Sequence, residues 1–338
     1  MNEKLLLVQK IGFQLETESP FIICMHHVDH YPKGNDNLGP NVDLAGRQIG
    51  QDFSNKDGFS MYHGDSVPGF PVHPHRGFET VTVVLEGLVD HFDSKGSEGR
   101  YGSGDVQWFT TGKGCQHAEM FPLVNKDKDN TLELFQIWLN LPAVNKFVEP
   151  HYKMLWNEDV PDIEVTLKDK GNVKVKLIAG AFNGIESPTP APFSWAATQD
   201  NHVGIMIIEM EPQSELILPA ISQTLNRNLY YYRGKGDIEI EHTKVSSPSR
   251  IKLTGNEEIS IINGQHTSYL MLLEGEPINE PSVQYGPFVM NTSDEIQEAF
   301  NDYRATEFGG WEWNQSGPVH DRNTGRFAKH ADGNEEVR

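Results

Sequence analysis

Cysteines, basic side chains and long apolar runs are all scarce in this 338-residue sequence. Cys24 and Cys115 are its only cysteines, too few for a disulfide framework and without the CxxC spacing of a thiolate zinc site. This usage favours a reducing, cytoplasmic location. Lys and Arg number 28 against 48 Asp and Glu, and the net charge of -20 disfavours direct binding to nucleic acid or to anionic membranes. The apolar patch LLLV near the N-terminus is too short for a signal peptide or a spanning helix, so we expect no membrane association.

The sequence consists mainly of short apolar or alternating runs separated by Gly, Pro, Asn and Asp, such as TVTVVLEG, LELFQIWLN, VKVKLIAG and SYLMLLEG. Runs of this length and spacing predict an all-β protein of sandwiches or barrels. The chain is long enough for two domains, and the Pro-rich and Gly-rich stretch 183–195 is the best candidate for their connection. We therefore expect domains over 1–182 and 183–310. The polar tail 311–338 is expected either to be disordered or to lie across a neighbouring surface.

One helix is expected within this β pattern, at about residues 293–305. Thr292 provides an N-cap, and Glu295 follows three residues later as in a capping box. Ile296, Phe300 and Tyr303 then fall on one face of the helix. The sequence therefore predicts a short C-terminal helix with one apolar face.

Four side chains of metal-ligand type occur as two pairs, each with one residue between its members. His73 and His75 lie in HPHRG, and His117 and Glu119 lie in CQHAEM. Because side chains at i and i+2 of an extended segment point to the same face, two neighbouring strands would bring all four together. Three imidazoles and one carboxylate suit a divalent transition ion such as Fe(II), Mn(II), Ni(II), Cu(II) or Zn(II). A six-coordinate ion with four protein ligands keeps two positions open for substrate or dioxygen, whereas a tetrahedral zinc ion with four protein ligands has none. The ligand set therefore favours a six-coordinate ion over structural zinc.

Other polar residues near these pairs are better explained without a ligand role. Glu79 is expected either to support the site from outside the ligand set or to face solvent, and Cys115 is expected to be a buried apolar filler. Three histidines in the polar stretch CMHHVDHYPKG are expected to be solvated or to line a pocket: His26, His27 and His30. They are left out of the ligand set.

The second half of the chain lacks an equivalent ligand set. The segment LYYYRGKGDIEI can be aligned with VTVVLEGLVDHF so that Gly234 matches Gly87. The same offset places Ala220 and Ser222 at the positions of His73 and His75. Neither residue binds a transition metal well. His266 has no partner histidine or glutamate two residues away, so we expect it to be structural. The sequence therefore predicts one metal ion per chain, in the first half.

Three long runs closely resemble the pirins, a branch of the cupin superfamily: HPHRGFETVTVVLEG, DSKGSEGRYGSGDVQWFTTGKGCQHAEM and GEPINEPSVQYGPFVMNTSDEIQEAF. The resemblance spans residues 20–310. It implies a bicupin, with two antiparallel jelly-roll β-barrels face to face and a metal, usually iron, in the N-terminal barrel alone. The pirin ligands correspond here to His73, His75, His117 and Glu119, the four that the spacing also selects.

One segment departs from the pirin pattern. Pirins commonly carry a compact D-H-F-G-P near the N-terminus, whereas this chain reads DHYPKGNDNLGP. The place of segment 31–40 before the first barrel strands allows it to lie near the mouth of the pocket, where its length would affect the size of the substrate.

Two functions follow from the resemblance. Several pirins are similar to quercetinases, which open flavonols with dioxygen and release carbon monoxide. A quercetin 2,3-dioxygenase of this kind would use a small flavonol-like aromatic substrate, O2 and one divalent metal, Fe(II) in the first place and Mn, Ni, Cu, Co or Zn as alternatives. Glu119 would be its catalytic proton acceptor. Other pirins are non-enzymatic, iron-dependent regulators that bind transcription factors or metabolic enzymes. Both functions need the metal, so the ligand motif does not separate them; we favour the enzyme and leave a protein partner open.

Overall fold

The structure, a computed structural model, describes residues 3–168 and 170–338 and is mostly β. The strands of the first half are β1 (Leu5–Lys10), β2 (Gln14–Leu15), β3 (Phe21–Tyr31), β4 (Gly69–His75), β5 (Phe78–Glu86), β6 (Leu88–Asp93), β7 (Glu98–Gly102), β8 (Val106–Thr110), β9 (Cys115–Met120), β10 (Asn130–Asn140), β11 (His151–Leu155) and β12 (Asp162–Thr166). The later strands are β13 (Asn172–Ala179), β14 (Ala181–Phe182), β15 (Ile185–Glu186), β16 (Gly204–Met210), β17 (Glu215–Leu218), β18 (Asn226–Gly234), β19 (Asp237–Ile240), β20 (Thr243–Ser246), β21 (Ser249–Leu253), β22 (Ile259–Ile262), β23 (Ser268–Gly275), β24 (Val283–Tyr285), β25 (Phe288–Met290), β26 (Phe327–Lys329) and β27 (Glu335–Val337).

The predicted helix is confirmed as α1 (Ser293–Thr306). Its capping box is complete, because the Glu295 amide donates to Thr292 Oγ1 at 3.2 Å and the Thr292 amide donates to the Glu295 carboxylate at 2.9 Å. The predicted face is confirmed too, since Ile296, Phe300 and Tyr303 join one apolar cluster with strand β25. Short 3₁₀ turns lie at Lys56–Gly58, Ala143–Asn145, Trp195–Ala197, Gln199–Asn201 and Glu307–Gly309. Within the described residues, no helix is long and apolar enough to cross a bilayer.

Contacts divide the chain into two compact units. The smaller unit contains residues 3–25, 138–140 and 158–279, and the larger unit contains 26–137, 141–157 and 280–338. These units do not coincide with the ranges 1–182 and 183–310. Strands β12 and β13 belong with the second half because β12 pairs with β13, which in turn pairs with β16.

The smaller unit is a sandwich of two open sheets. One sheet has the strand order β1-β21-β18-β23-β16-β13-β12, and the other has the order β17-β22-β19-β20. Side chains from both sheets form one buried core, including Val175, Ile208 and Leu229 from the first and Leu216 and Ile238 from the second. The alternation of apolar and polar residues in each strand places one face in this core.

The larger unit repeats this architecture. One sheet runs β11-β8-β5-β10-β3, and the other runs β27-β26-β7-β6-β9-β4. Their shared core includes Val84 and Phe109 from the first sheet and Val89, Tyr101 and Ala328 from the second. The predicted all-β class with two jelly-roll domains is therefore confirmed, although the sheets of each unit end in edge strands instead of closing into barrels.

The tail 311–338 lies across the larger unit, which is the second of the two expected alternatives. Strand β26 pairs with β7, and β27 pairs with β26. Arg100 of β7 fixes the tail: it bonds Asp90 of β6 through Nε–Oδ1 at 2.6 Å and Nη2–Oδ2 at 2.8 Å. Its guanidinium also donates to the backbone carbonyls of His320, Asp321 and Thr324 at 2.9–3.0 Å. Both side chains of the ion pair are buried.

Candidate metal centre

The two ligand pairs lie on neighbouring strands of the larger unit. Strands β4 and β9 pair antiparallel, with His73 opposite His117 and Phe70 opposite Glu119. Among the described residues, one group of three or more side chains has its potential ligand atoms close enough to share a metal ion. It consists of His73, His75 and His117, whose ligand atoms lie within 4.8 Å of one another. The predicted convergence of the three histidines is therefore observed.

Backbone carbonyls orient the first two imidazoles. His73 Nδ1 lies 2.8 Å from the carbonyl oxygen of Pro71, and His75 Nδ1 lies 3.3 Å from that of Pro287. Because a carbonyl only accepts, Nδ1 carries the proton in each ring, and the lone pair is on Nε2. Metal-binding histidines commonly have their second nitrogen held in this way. The carbonyl of Pro287 comes from the segment after β24, a contribution that no local sequence signal indicates.

His117 is buried with two ring nitrogens that have no hydrogen-bond partner among the described residues. Its ring stacks on Phe109, with centroids 5.2 Å apart and planes 16° from parallel. A buried polar atom without a partner costs about 1–3 kcal/mol, so such atoms usually mark a bound ion, water or ligand. The orphaned nitrogens of His117 therefore fit a metal at this position.

Burial keeps the three imidazoles neutral. It lowers the pKa of His73 to about 4, and it lowers the pKa values of His75 and His117 well below the usual range. The positive charge of one protonated ring would further oppose protonation of its neighbours. Neutral imidazoles are the form that binds a metal ion.

Glu119 lies beside the histidine cluster but is hydrogen-bonded to other groups. Its Oε2 atom is 3.8 Å from His117 Nε2 and accepts a hydrogen bond from Gln136 Nε2 at 2.7 Å. Its Oε1 atom accepts from Thr82 Oγ1 at 3.2 Å. Burial raises the pKa of Glu119 above its usual value. Sequence reasoning missed Gln136 and Thr82, because their proximity depends on which strands of β5, β9 and β10 pack together.

The last two residues of HPHRG dock the motif onto the C-terminal segment of the same unit. Arg76 Nη1 donates to Asp302 Oδ2 of α1 at 2.8 Å, and its Nε donates to the carbonyl of Lys113 at 2.6 Å. Gly77 has φ of +87°, and a Cβ at this position would lie 2.0 Å from the carbonyl oxygen of Val289. Only glycine tolerates both the dihedral angle and the close approach.

The residues excluded from the ligand set have other contacts. Glu79 is fully buried and accepts from Thr110 Oγ1 at 2.6 Å, so it does not face solvent. Cys115 is the buried filler that we expected: its Sγ lies 3.2 Å from Ser94 Oγ, and burial raises the pKa of the Cys115 thiol to about 12.

The histidines of CMHHVDHYPKG occupy three different environments. His26 bonds Glu133 at 3.0 Å, and His27 is buried with its ring edge-on to that of Tyr62 at 4.9 Å. Burial lowers the pKa of His27 to about 3. His30 is exposed.

The extended segment 31–40 runs beside residues 123–125. The Gly34 amide donates to Asn125 at 2.7 Å, and the Leu123 amide donates to the carbonyl of Leu38 at 2.8 Å. Three rings from residues 53–63 of the same connection contact Phe70, which lies near the histidine cluster. Ring contacts with Phe70 are therefore made by residues 53–63, while the contacts of 31–40 are with residues 123–125.

Comparison with known proteins identifies the family. Residues 33–139 match the model of the Pirin family, and residues 205–309 match that of the pirin C-terminal cupin domain. A pirin-like protein of Solanum lycopersicum is 37% identical over 272 residues, covering 79% of this chain and 87% of that protein. A Pseudomonas aeruginosa protein named "Putative quercetin 2,3-dioxygenase PA3240" is 36% identical over 240 residues, covering 71% of this chain and 80% of that protein.

A solved structure shares the fold. The crystal structure of a quercetin 2,3-dioxygenase from Acinetobacter baumannii superimposes with a TM-score of 0.70 over 91% of this chain and 98% of that one, at 23% sequence identity. The family models and the relatives above 30% identity together establish the relationship: this chain belongs to the pirin family of the cupin superfamily.

Proposed function

We propose that this pirin is a metal-dependent dioxygenase that opens a flavonol-like substrate with O2, in the manner of a quercetin 2,3-dioxygenase. The observation that carries the proposal is the buried His117, whose ring nitrogens have no partner among the described residues and lie beside two oriented histidines. The name of the Pseudomonas aeruginosa relative supports the choice of substrate class.

In this proposal one divalent metal is held by His73, His75, His117 and Glu119. Fe(II) is the first choice, and Mn, Ni, Cu, Co and Zn are the alternatives. A bound transition metal would supply Lewis-acid and redox chemistry toward a phenol and dioxygen. The neutral imidazoles would donate their lone pairs, and the Glu119 carboxylate would offset one positive charge.

Glu119 has a second proposed role, as the group that accepts the proton of the substrate hydroxyl. Gln136 and Thr82 hold its two carboxylate oxygens in place. A carboxylate held in this way beside the bound substrate is a group type that accepts protons in general base catalysis. The side chains of His117 and Phe109 are both buried, which limits the access of water that would compete for this proton.

We also propose a cytoplasmic location. Both cysteines are buried and neither forms a disulfide, in agreement with a reducing compartment.

The test is to load the metal-free protein separately with each candidate ion and to measure oxygen uptake and carbon monoxide release with quercetin. At least one ion should support turnover, and elemental analysis should find one ion per chain. His73→Ala combined with His75→Ala should abolish both metal binding and turnover. His266→Ala removes an exposed histidine from the smaller unit and should leave both unchanged.

Two results would overturn the proposal. The first is no oxygen uptake with any ion, together with identical spectra of the loaded protein with quercetin and with a flavone that lacks the 3-hydroxyl. The iron-dependent regulator would then be the better explanation. The second is full metal content in the double histidine variant, which would move the site elsewhere.

A further inference from the structure

A row of rings extends outward from His73 along the connection between β3 and β4. The Phe70 ring lies 6.3 Å from that of His73, and the Phe53 ring lies 6.4 Å from that of Phe70. Tyr62 stacks on Phe70 at 5.1 Å, with planes 28° apart, and the His63 ring lies 5.7 Å from that of Phe70. All five rings belong to the larger unit.

The rings of the row differ in exposure: His73 and Phe70 at the inner end are half-buried, and Phe53 at the outer end is exposed. Tyr62 is 3% exposed, and its hydroxyl donates to Asp29 at 2.7 Å. Phe53 is 49% exposed and meets Tyr62 and His63 edge-on, at 5.4 and 5.1 Å. His63 is exposed, its Nδ1 lies 2.8 Å from the carbonyl of Gly50, and its Nε2 has no hydrogen-bond partner in the described chain. The outer end therefore offers an open aromatic face beside an available ring nitrogen.

Buried polar contacts hold this outer end in place. Arg47 Nη1 bonds Asp52 at 2.8 Å, and both side chains are 1% exposed. The same guanidinium donates to the carbonyl of Phe59 at 2.9 Å and lies 3.8 Å above the Phe59 ring. Asp52 also accepts from the amide of Met61 at 3.1 Å. Phe53 follows Asp52 directly, so its ring is carried by an ordered backbone, as a binding surface requires.

We propose that Phe53 and His63 form an outer subsite that binds a second, pendant aromatic ring of a phenolic substrate whose fused, hydroxyl-bearing ring system reaches the histidine cluster. The inference rests on the proposed function and names the part of the chain that selects for a second ring. Aromatic rings prefer offset-stacked or edge-to-face contacts, which Phe53 and Phe70 offer to a planar guest. His63 Nε2 would accept or donate one hydrogen bond to a hydroxyl on that ring.

The test compares two ligands that differ by one ring. 3-Hydroxyflavone carries a phenyl substituent, and 3-hydroxychromone is the same hydroxypyrone system without it. Their dissociation constants are measured anaerobically by fluorescence quenching of the metal-loaded protein, so that no turnover is needed. Phe53→Ala should weaken binding of 3-hydroxyflavone about 3–10-fold, the range of an aromatic contact, and that of 3-hydroxychromone less than about 2-fold. Metal content should be unchanged.

Phe13→Ala is the matched control, because Phe13 has the same 49% exposure but belongs to the smaller unit. It should leave both constants unchanged. His63→Leu should remove the preference for 3,3′,4′-trihydroxyflavone, which differs from 3-hydroxyflavone only by two hydroxyls on the phenyl ring, over 3-hydroxyflavone. The subsite is refuted if Phe53→Ala weakens both ligands equally, if it behaves like Phe13→Ala, or if neither ligand binds the wild-type protein.

These results are distinguishable from failure of the proposed function. If the variants change the two dissociation constants as expected but the protein consumes no oxygen, the subsite is supported and the dioxygenase is refuted. If the protein turns over quercetin but Phe53→Ala does not change the preference for 3-hydroxyflavone over 3-hydroxychromone, the dioxygenase is supported and the subsite is refuted.

Discussion

The buried ion pair between Asp90 and Arg100 provides a quantitative test of how the tail is held. Asp90→Ala would leave the Arg100 guanidinium buried without its carboxylate, while its bonds to three tail carbonyls remain possible. Removing one partner of a buried pair costs about 3–5 kcal/mol, because the remaining charge has lost both water and its counter-charge. The backbone amide of His320 also loses its acceptor, Asp90 Oδ2, at 2.9 Å. We therefore expect a loss at the upper end of that range.

The assay is guanidinium unfolding of the metal-free protein, so that metal binding does not add to the measured free energy. Native-state hydrogen exchange of β6, β7 and β26 then locates the loss, since two compact units need not unfold in one transition. Glu149→Ala is the control: Lys113 and Glu149 form an exposed pair with side chains 45% and 72% accessible, and its loss should cost no more than about 1 kcal/mol.

A second variant separates the charge from the hydrogen bonds. Asp90→Leu combined with Arg100→Met removes both charges, so it should be more stable than Asp90→Ala, while exchange in the tail increases because three carbonyls have lost their donor. A loss below about 1 kcal/mol for Asp90→Ala, or a double variant no more stable than Asp90→Ala, would refute this reasoning.

Three further predictions concern the larger unit. Burial raises the pKa of Asp29 to about 6 from 3.8, so the folded state holds this proton more tightly and the free energy of unfolding should fall by about 2 kcal/mol as pH rises from 4 to 7; urea unfolding across that range should show that Asp29→Asn lacks this component. Gly77→Ala would collide with the carbonyl of Val289 and should reduce metal content measured by elemental analysis, whereas normal occupancy would show that the turn can relax. Glu119→Gln should lower kcat with quercetin more than it lowers metal content, and equal losses would mean that Glu119 is only a ligand.

The features that sequence predicted best depend on local rules. The capping box of Thr292 and Glu295 follows from helix-end chemistry within four residues. The pairing of His73 with His117 follows from strand alternation together with the assumption that β4 and β9 are neighbours. The glycine alignment was less exact: Gly87 turns between β5 and β6 with a φ of +89°, whereas Gly234 is the last residue of β18 and the turn before β19 is made at Gly236, with a φ of +86°.

Features that require distant strand pairing were not predicted. Strand β1 pairs with β21, with Val8 opposite Ile251, although nothing in LLLVQK indicates its partner. The carbonyl that orients His75 belongs to Pro287. Every residue has a backbone carbonyl, so the residue type does not indicate this role. The sequence did not decide whether the tail is disordered or packed. A polar composition does not show that the buried Arg100 donates hydrogen bonds to the carbonyls of the tail.

The discontinuous composition of the larger unit has a consequence for biosynthesis. Its histidine cluster lies in residues 73–117, but the carbonyl that orients His75 and the strand β26 come from residues 280–338. On the ribosome, the whole of 158–279 must be synthesised before those groups emerge. Nascent chains that end before residue 280 should therefore bind metal more weakly than released chains, which ribosome-bound fragments of increasing length would measure. The groups around the cluster are thus complete only after translation of the second cupin, and the metal loading that we propose would be a late step in the maturation of the protein.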